Sequence, residues 1–338
     1  MVVQKTRLFQ GILLVVATVP MTLFCSIALA EFPQSENRIQ LLAQNGRQAR
    51  LRQLLERGRD LVDAGEYEAA AQVYRQASNL DSDHAKNFSG LGYVEARLEN
   101  YQAAAEAYQT AVEIEPDNAD FQQALGHSLA QIQDYSAATK AYYRAAQLDD
   151  ENIQPYLGLG AVLLRQDDRA GAISIYKRAL TIEPNHAEAN WVLGSLLIEE
   201  ENYQDAIAHL KTALDKNPQK PTAWLSLGNA YQVQGQLRDA ESAYQRAIRL
   251  DSQFLEAFAS LGEVQLQQEE YMQAITTYRR LLELAPDTPG AYYNLGLALK
   301  GRDRVTEARE AFEIAHDLFI EAQNEEGRER SQMQLENL

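Results

Sequence analysis

Cysteine, proline and glycine are all scarce in this sequence, which holds one cysteine, nine prolines and eighteen glycines in 338 residues. With Cys25 as its single cysteine, the chain cannot form an internal disulfide and must be stabilised by side-chain packing. The small number of helix-breaking residues, together with an apolar content of 46%, favours helices over sheets. We therefore expect an all-α protein.

Motifs of catalytic and metal sites are missing as well. The sequence has no HExxH motif, no glycine-rich phosphate loop and no GxSxG elbow. Its five histidines are spread along the chain without neighbouring residues at metal-ligand spacing: His84, His127, His186, His209 and His316. We predict that the chain is not an enzyme and binds no cofactor or metal. An enzyme subunit acting on sugar or peptidoglycan would need a second chain to supply the catalytic residues.

Positive charge is also in short supply. The chain has 31 basic and 48 acidic residues, which gives a formal net charge of −17. A surface of this sign repels phosphate backbones and anionic lipid headgroups. We therefore expect no binding of nucleic acid, and membrane contact only through an uncleaved signal anchor.

The first thirty residues have the features of a secretion signal. Lys5 and Arg7 form a basic start, residues 8–30 carry no charge, and the sequence Ala28-Leu29-Ala30 suits a signal peptidase. We predict cleavage after Ala30, which leaves 29 basic residues against 48 acidic ones and a net charge of −19. The alternative is an uncleaved signal anchor, because the uncharged segment is long enough to span a membrane.

Two ladders of small residues recur through the rest of the chain at a fixed step of 34 residues. The first ladder is a glycine, found at Gly58, Gly92, Gly126, Gly160, Gly194, Gly228, Gly262 and Gly296. An alanine stands twelve residues after each glycine, at Ala70, Ala104, Ala138, Ala172, Ala206, Ala240, Ala274 and Ala308. Such self-similarity indicates a repeat protein built from stacked units.

Larger residues keep the same step. An aromatic residue follows the alanine by four positions, with Leu210 as the exception, at Tyr74, Tyr108, Tyr142, Tyr176, Tyr244, Tyr278 and Phe312. Proline closes four units, at Pro116, Pro184, Pro218 and Pro286. Within a unit the apolar residues recur at three and four, so each unit is predicted to be a pair of amphipathic helices, over 120–132 and 135–148 in the third. The small ladder residues allow the paired helices to cross closely beside the large aromatic side chains.

This pattern resembles the tetratricopeptide repeat, and the resemblance covers residues 51–322. The eight predicted repeats are 51–84, 85–118, 119–152, 153–186, 187–220, 221–254, 255–288 and 289–322. The resemblance implies an α-solenoid that forms a right-handed superhelix, with the first helix of each repeat lining the concave side. Outside the repeats we predict the signal over 1–30, a spacer or weak helix over 31–50, and a polar C-terminal cap over 323–338. A docking tail is the alternative for this last segment.

The resemblance also places partner binding in the concave groove, on set positions of each first helix. We predict Trp191 and Tyr293 as anchors, because aromatic side chains bury much area at low entropic cost. The alternative for Trp191 is that it fills the contact between neighbouring first helices. The other predicted groove residues include Tyr93, His127 and Asn229, with Arg59 and Lys86 at equivalent positions.

Two further groove residues, Arg97 and Arg165, are predicted either to bind a partner's carboxylate or to pair with Glu99 and Asp167. Some family members capture the carboxyl terminus of cytosolic chaperones through Lys and Asn side chains at fixed groove positions. Those positions hold Leu55, Arg59, Gly90, Asp120 and Ala124 here, so this clamp is missing.

Export and an uninterrupted array of repeats together predict the function. We expect a periplasmic scaffold or adaptor that binds a protein or peptide segment and helps to assemble an envelope complex. A spacer or oligomer anchored in the inner membrane is the first alternative. In a photosynthetic host, a photosystem assembly factor in the thylakoid lumen is the second.

Overall fold

The computed structural model describes the backbone of residues 21–338, and the side chains of residue 38 and of residues 40–338. Seventeen α-helices and no strand occur in this part of the chain. Their bounds are Met21–Asp63 (α1), Tyr67–Leu80 (α2), Ala85–Arg97 (α3), Tyr101–Ile114 (α4), Ala119–Gln131 (α5), Tyr135–Leu148 (α6), Ile153–Arg165 (α7), Arg169–Ile182 (α8), Ala187–Glu199 (α9), Tyr203–Lys216 (α10), Pro221–Val233 (α11), Leu237–Leu250 (α12), Leu255–Gln267 (α13), Tyr271–Leu284 (α14), Pro289–Lys300 (α15), Val305–Glu321 (α16) and Glu325–Glu336 (α17).

The helices confirm the predicted all-α class and its helical repeats. The two helices predicted in the third repeat, over 120–132 and 135–148, are α5 and α6, and the start of α5 differs by one residue. All four repeat-closing prolines lie between helices, where the missing N–H and the fixed φ of proline end one helix before the next begins.

The chain divides into two compact units, the first ending at Ser128 and the second beginning at Leu129. In the first unit α1 packs on α2, α2 on α3, and α3 on α4. In the second unit each helix from α6 to α17 packs on its neighbours along the chain, as expected for stacked helix pairs.

The alanine ladder is the tightest part of both units. All eight of its members are completely buried, with 0% of their surface exposed. The glycine ladder faces the aromatic ladder: a Cβ added at Gly58 or Gly92 would lie 2.8 Å from the ring of Tyr74 or Tyr108. Glycine is therefore required at these positions because the ring of the paired helix occupies the space of a side chain.

The turn inside each repeat holds a residue with left-handed backbone geometry that the sequence analysis missed. Its φ lies between 56° and 75° at Gly65, Glu99, Gln133, Asp167, Glu201, Gly235, Glu269 and Asp303. Glycine adopts this geometry without cost, whereas residues with a Cβ are strained by about 1 kcal/mol. The two glycines stand 34 residues apart in multiples of the repeat, and this shared position was the signal that could have revealed the turn.

Replacing Glu201 with glycine is expected to stabilise the protein by about 0.5–1 kcal/mol, because the strain relieved exceeds the added entropy of the unfolded chain. The opposite change, Gly235→Ala, is expected to destabilise it by about 1 kcal/mol. Urea midpoints of the two variants test both signs. Equal midpoints would show that the turns carry no strain.

The two ends of the repeat array are helical. Helix α1 runs without a break from Met21 through the predicted spacer and into the first repeat, while residues 1–20 of the predicted signal lie outside the described residues. The polar C-terminal segment forms α17, which packs on α16 and places Leu335 and Leu338 against the last apolar cluster. The boundaries predicted for signal, spacer and cap stay predictions. Among the described helices, none combines the length and apolar character that a membrane-spanning segment needs.

Candidate partner-binding site

The first unit contains an open cavity of about 750 Å3 on the first helices of its repeats. Residues of α1, α3 and the start of α5 line it, among them Arg59, Lys86, Tyr93 and Phe121. Arg59, Lys86 and Tyr93 are at predicted groove positions. In this unit the groove expected from the sequence therefore corresponds to a cavity of ligand-binding size.

Tyr74 forms part of the cavity wall, and the sequence analysis assigned it only to the core. Its ring is 6% exposed and lies against Gly90, where an added Cβ would collide with the ring. Burial raises the pKa of Tyr74, while the nearby guanidinium of Arg59 lowers it and the carboxylate of Asp63 raises it further. The hydroxyl of Tyr74 is therefore within electrostatic reach of both charged groups.

Charges of both signs surround the cavity. Arg59 and Lys86 supply the positive charges, and Asp63 and Asp120 supply the negative ones. Among the described residues, neither Arg59 nor Lys86 makes an ion pair or a side-chain hydrogen bond. Two cations without an internal partner remain available to a bound segment. His84 also lines the cavity, and its buried Nδ1 has no hydrogen-bond partner in the described part of the chain.

Of the three groove residues predicted in this unit, only Tyr93 lines the cavity, and its side chain is 45% exposed. Arg97 donates a hydrogen bond to the Tyr67 hydroxyl at 3.0 Å and lies 5.1 Å from the centre of the same ring. His127 is exposed and contacts the Tyr101 ring edge-on at 6.2 Å between ring centres. Arg97 therefore pairs with an aromatic ring and not with Glu99, the alternative that the sequence suggested.

In the second unit, Arg165 is exposed at the end of α7. The predicted alternative partner, Asp167, binds Arg169 instead, with 2.6 Å between the guanidinium nitrogen and the carboxylate oxygen. No ion pair involves Arg165 among the residues that the structure describes. Its guanidinium is free to bind a partner.

Trp191 is half-buried, and its ring face is covered. The ammonium group of Lys220 lies 3.2 Å from the ring centre and 2.6 Å from the Glu188 carboxylate. The ring packs beside Leu225 and Ile198, from the neighbouring first helix and its own. This geometry matches the alternative reading of Trp191 as a contact between first helices, and a partner could reach the ring only by displacing Lys220.

The last two predicted groove residues are engaged within the protein. The Tyr244 hydroxyl donates a hydrogen bond to Asn229 Oδ1 at 2.8 Å. Tyr293 is only 8% exposed, with Phe312 at 5.6 Å and the Arg330 guanidinium at 4.8 Å from its ring centre. The structure therefore gives no exposed anchor at Tyr293, because α17 supplies the side chain that covers it.

Titratable side chains do not gather into a metal site. The described residues contain no group of three or more His, Cys, Asp or Glu side chains placed to hold a metal ion.

Three family models match the sequence. They are the cilia and flagella-associated protein 70 middle TPR-like domain over residues 122–251, a TPR repeat over 262–301 and a tetratricopeptide repeat over 55–119. The chain is a tetratricopeptide-repeat protein. Such repeats typically serve as non-catalytic scaffolds for protein–protein interaction.

Solved structures share the fold. The C-terminal part of a TPR repeat-containing protein from Cytophaga hutchinsonii has a TM-score of 0.60 at 15% identity and covers 71% of this chain and 99% of its own. Pseudomonas aeruginosa pilF has a TM-score of 0.55 at 22% identity, with 66% and 99% covered. YrrB, described as a TPR protein with an unusual peptide-binding site, has a TM-score of 0.51 at 22% identity, with 59% and 99% covered. No curated protein matches the chain.

Proposed function

We propose that this chain is an exported, non-catalytic scaffold that binds a segment of a partner protein in the cavity of its first unit and helps to assemble an envelope complex. The observation that carries the proposal is the pair of unpaired cations, Arg59 and Lys86, beside the exposed Tyr93 in a cavity of about 750 Å3. This combination supplies both an aromatic contact surface and charge-assisted hydrogen bonds.

The charges of the cavity describe the segment that fits it. A partner carboxylate can accept two parallel hydrogen bonds from Arg59, which is the strong geometry for a guanidinium. Asp63 and Asp120 favour a basic or amide group further along the same segment. We therefore expect an extended or helical segment of mixed charge.

An envelope task rests on the predicted secretion signal and on two proteins of the same fold. One is pilF of Pseudomonas aeruginosa, and the other is PilW, described as a widely conserved type IV pilus biogenesis factor, with a TM-score of 0.51 at 21% identity. Assembly of envelope structures is thus compatible with this architecture, and the cavity supplies the specificity.

A photo-crosslinking amino acid at position 93, introduced in the native host, tests the proposal. A specific protein identified by mass spectrometry is expected from position 93 and not from position 143, where Tyr143 is similarly exposed on α6. The double change Arg59→Glu and Lys86→Glu is expected to reduce capture by at least about tenfold, because charge reversal removes hydrogen bonds worth about 1.5–3 kcal/mol each. Equal capture from both positions, or capture that survives the charge reversal, would contradict the proposal.

A membrane-tethered spacer is the second candidate, and one observation favours it. Helix α1 continues from Met21 into the first repeat without interruption, so a retained signal would connect to the repeats by a rigid segment. The intact mass of the protein from membrane and soluble fractions separates the two candidates. A mature protein beginning at Glu31 supports the exported scaffold, and a full-length protein in the membrane fraction supports the tether.

A further inference from the structure

The sixth repeat departs from its neighbours on the outer surface of its second helix, α12. In the seventh repeat, Arg280 pairs with Glu283 three residues later, with 2.7 Å between nitrogen and oxygen. In the sixth repeat the same two positions hold Arg246 and Arg249. Two like charges at this spacing on a helix destabilise it slightly, so the pair has no benefit for folding.

Both arginines lie without an internal partner. Neither Arg246 nor Arg249 makes an ion pair or a side-chain hydrogen bond among the described residues. They line a cavity of about 370 Å3 between α10, α11 and α12, all of which belong to the second unit. This cavity is separate from the one that contains Arg59 and Lys86.

The rest of the cavity is largely apolar and aromatic. Leu214, Leu227 and Trp224 line it, and the Trp224 indole donates a hydrogen bond to the Pro218 carbonyl at 2.9 Å. That hydrogen bond satisfies the polar edge of the indole, so its remaining surface is available as an apolar contact. A fixed ring with its donor satisfied is well suited to binding an apolar side chain.

The acidic residues of the wall already have a positive partner. A hydrogen bond with Tyr231, assisted by the carboxylates of Asp239 and Asp215, raises the pKa of Lys211. Lys211 therefore offsets part of the negative charge in the wall. The lining residues comprise three cations and two carboxylates, which leaves a positive excess on the side of Arg246 and Arg249.

We propose that this cavity is a second protein-binding site, which takes an acidic segment of a partner. The segment's carboxylates pair with Arg246 and Arg249, and a neighbouring leucine or phenylalanine side chain lies against Trp224. Charge complementarity selects the carboxylates, and the apolar lining selects an amino-acid side chain over a bare phosphate. With the first-unit cavity, the chain then offers binding sites for two different segments.

The two tryptophans of the chain make the site measurable. In a Trp191→Phe background, Trp224 is the sole tryptophan and reports directly on this cavity. The probes are blocked hexapeptides with four Asp or Glu residues around a Leu-Phe pair, and matched peptides with Asn and Gln in their place. The acidic peptides are expected to shift the Trp224 emission, and the amide peptides are expected to bind at least about tenfold more weakly.

Arg249→Glu is the decisive variant, because it recreates the Arg–Glu pair that the seventh repeat already contains and so preserves the helix. It is expected to lower acidic-peptide affinity at least about tenfold with unchanged circular dichroism. Arg280→Gln, at the matching position of the next repeat, is expected to leave affinity unchanged.

Three results would overturn the proposal. The first is the absence of an emission shift with any acidic peptide, and the second is equal binding of acidic and amide peptides or equal binding by the Arg249→Glu protein. The third is a shift with phosphatidylglycerol vesicles but not with peptides, which would assign the site to a lipid surface instead.

Discussion

Alkaline solution is expected to unfold the repeats between about pH 10 and pH 12, because the aromatic ladder is made mainly of buried tyrosines. Burial raises the pKa of Tyr142 and Tyr176 to about 12, from an ordinary value of 10.0. Burial also raises the pKa of Tyr108, Tyr244 and Tyr278. The folded repeats therefore resist formation of the charged phenolate.

The sign of the effect follows from the direction of these shifts. A group whose pKa is higher in the folded state contributes its full stability below the unfolded value, pH 10, and loses it as the pH rises to the folded value. For a difference of two units the loss is about 2.7 kcal/mol for each tyrosine. Several ladder tyrosines together exceed the total stability of a typical domain, about 5–15 kcal/mol.

Tyrosinate absorbance and circular dichroism, followed over the same pH range, test this prediction. The ladder tyrosines are expected to ionise only as helix is lost, whereas exposed tyrosines ionise near pH 10. Tyr176→Phe is expected to move the alkaline midpoint upward, and Tyr143→Phe, at a side chain that is 56% exposed, is expected to leave it in place. Ionisation of all tyrosines near pH 10 with the helices intact would contradict the prediction.

The core of the repeats could be predicted from the sequence because it depends on contacts that recur every 34 residues. Each alanine of the ladder is fully buried, and each glycine described faces a large side chain, as at Gly58 and Tyr74. Repetition gives the same contact several independent chances to appear in the sequence. The left-handed turn residue was missed because only Gly65 and Gly235 mark it, while the other members are ordinary polar residues.

The binding surface was less predictable because it depends on contacts that do not recur. Lys220 covers Trp191 and Arg330 covers Tyr293, and neither interaction is repeated in the other units of the ladder. Family positions indicate which residues lie on a first helix, but not which side chains fold over them. Tyr93 stays accessible because Gly90, one turn earlier on α3, has no side chain to occupy the cavity.

Introducing a single methyl group at Gly160 is expected to destabilise the protein by about 1–3 kcal/mol, which is a large effect for so small a change. A Cβ at this position would lie 2.7 Å from a ring carbon of Tyr176, which is 4% exposed and fully enclosed by its neighbours. Since the ring is in the middle of a packed interface, it cannot move aside without displacing the paired helix. The urea midpoint of Gly160→Ala measures the cost.

Two further variants establish that the ring is the cause. Gly290→Ala is the matched control, because a Cβ there meets nothing within 4 Å, and it is expected to be neutral or slightly stabilising through its helix propensity. The double variant Gly160→Ala, Tyr176→Leu imitates the smaller side chain of the fifth repeat, where Leu210 faces Gly194. In it the cost of Gly160→Ala is expected to fall by at least about 0.5 kcal/mol, as for directly contacting residues. If the cost is the same with Tyr176 and with leucine, the close approach of the two helices, and not the ring, requires the glycine.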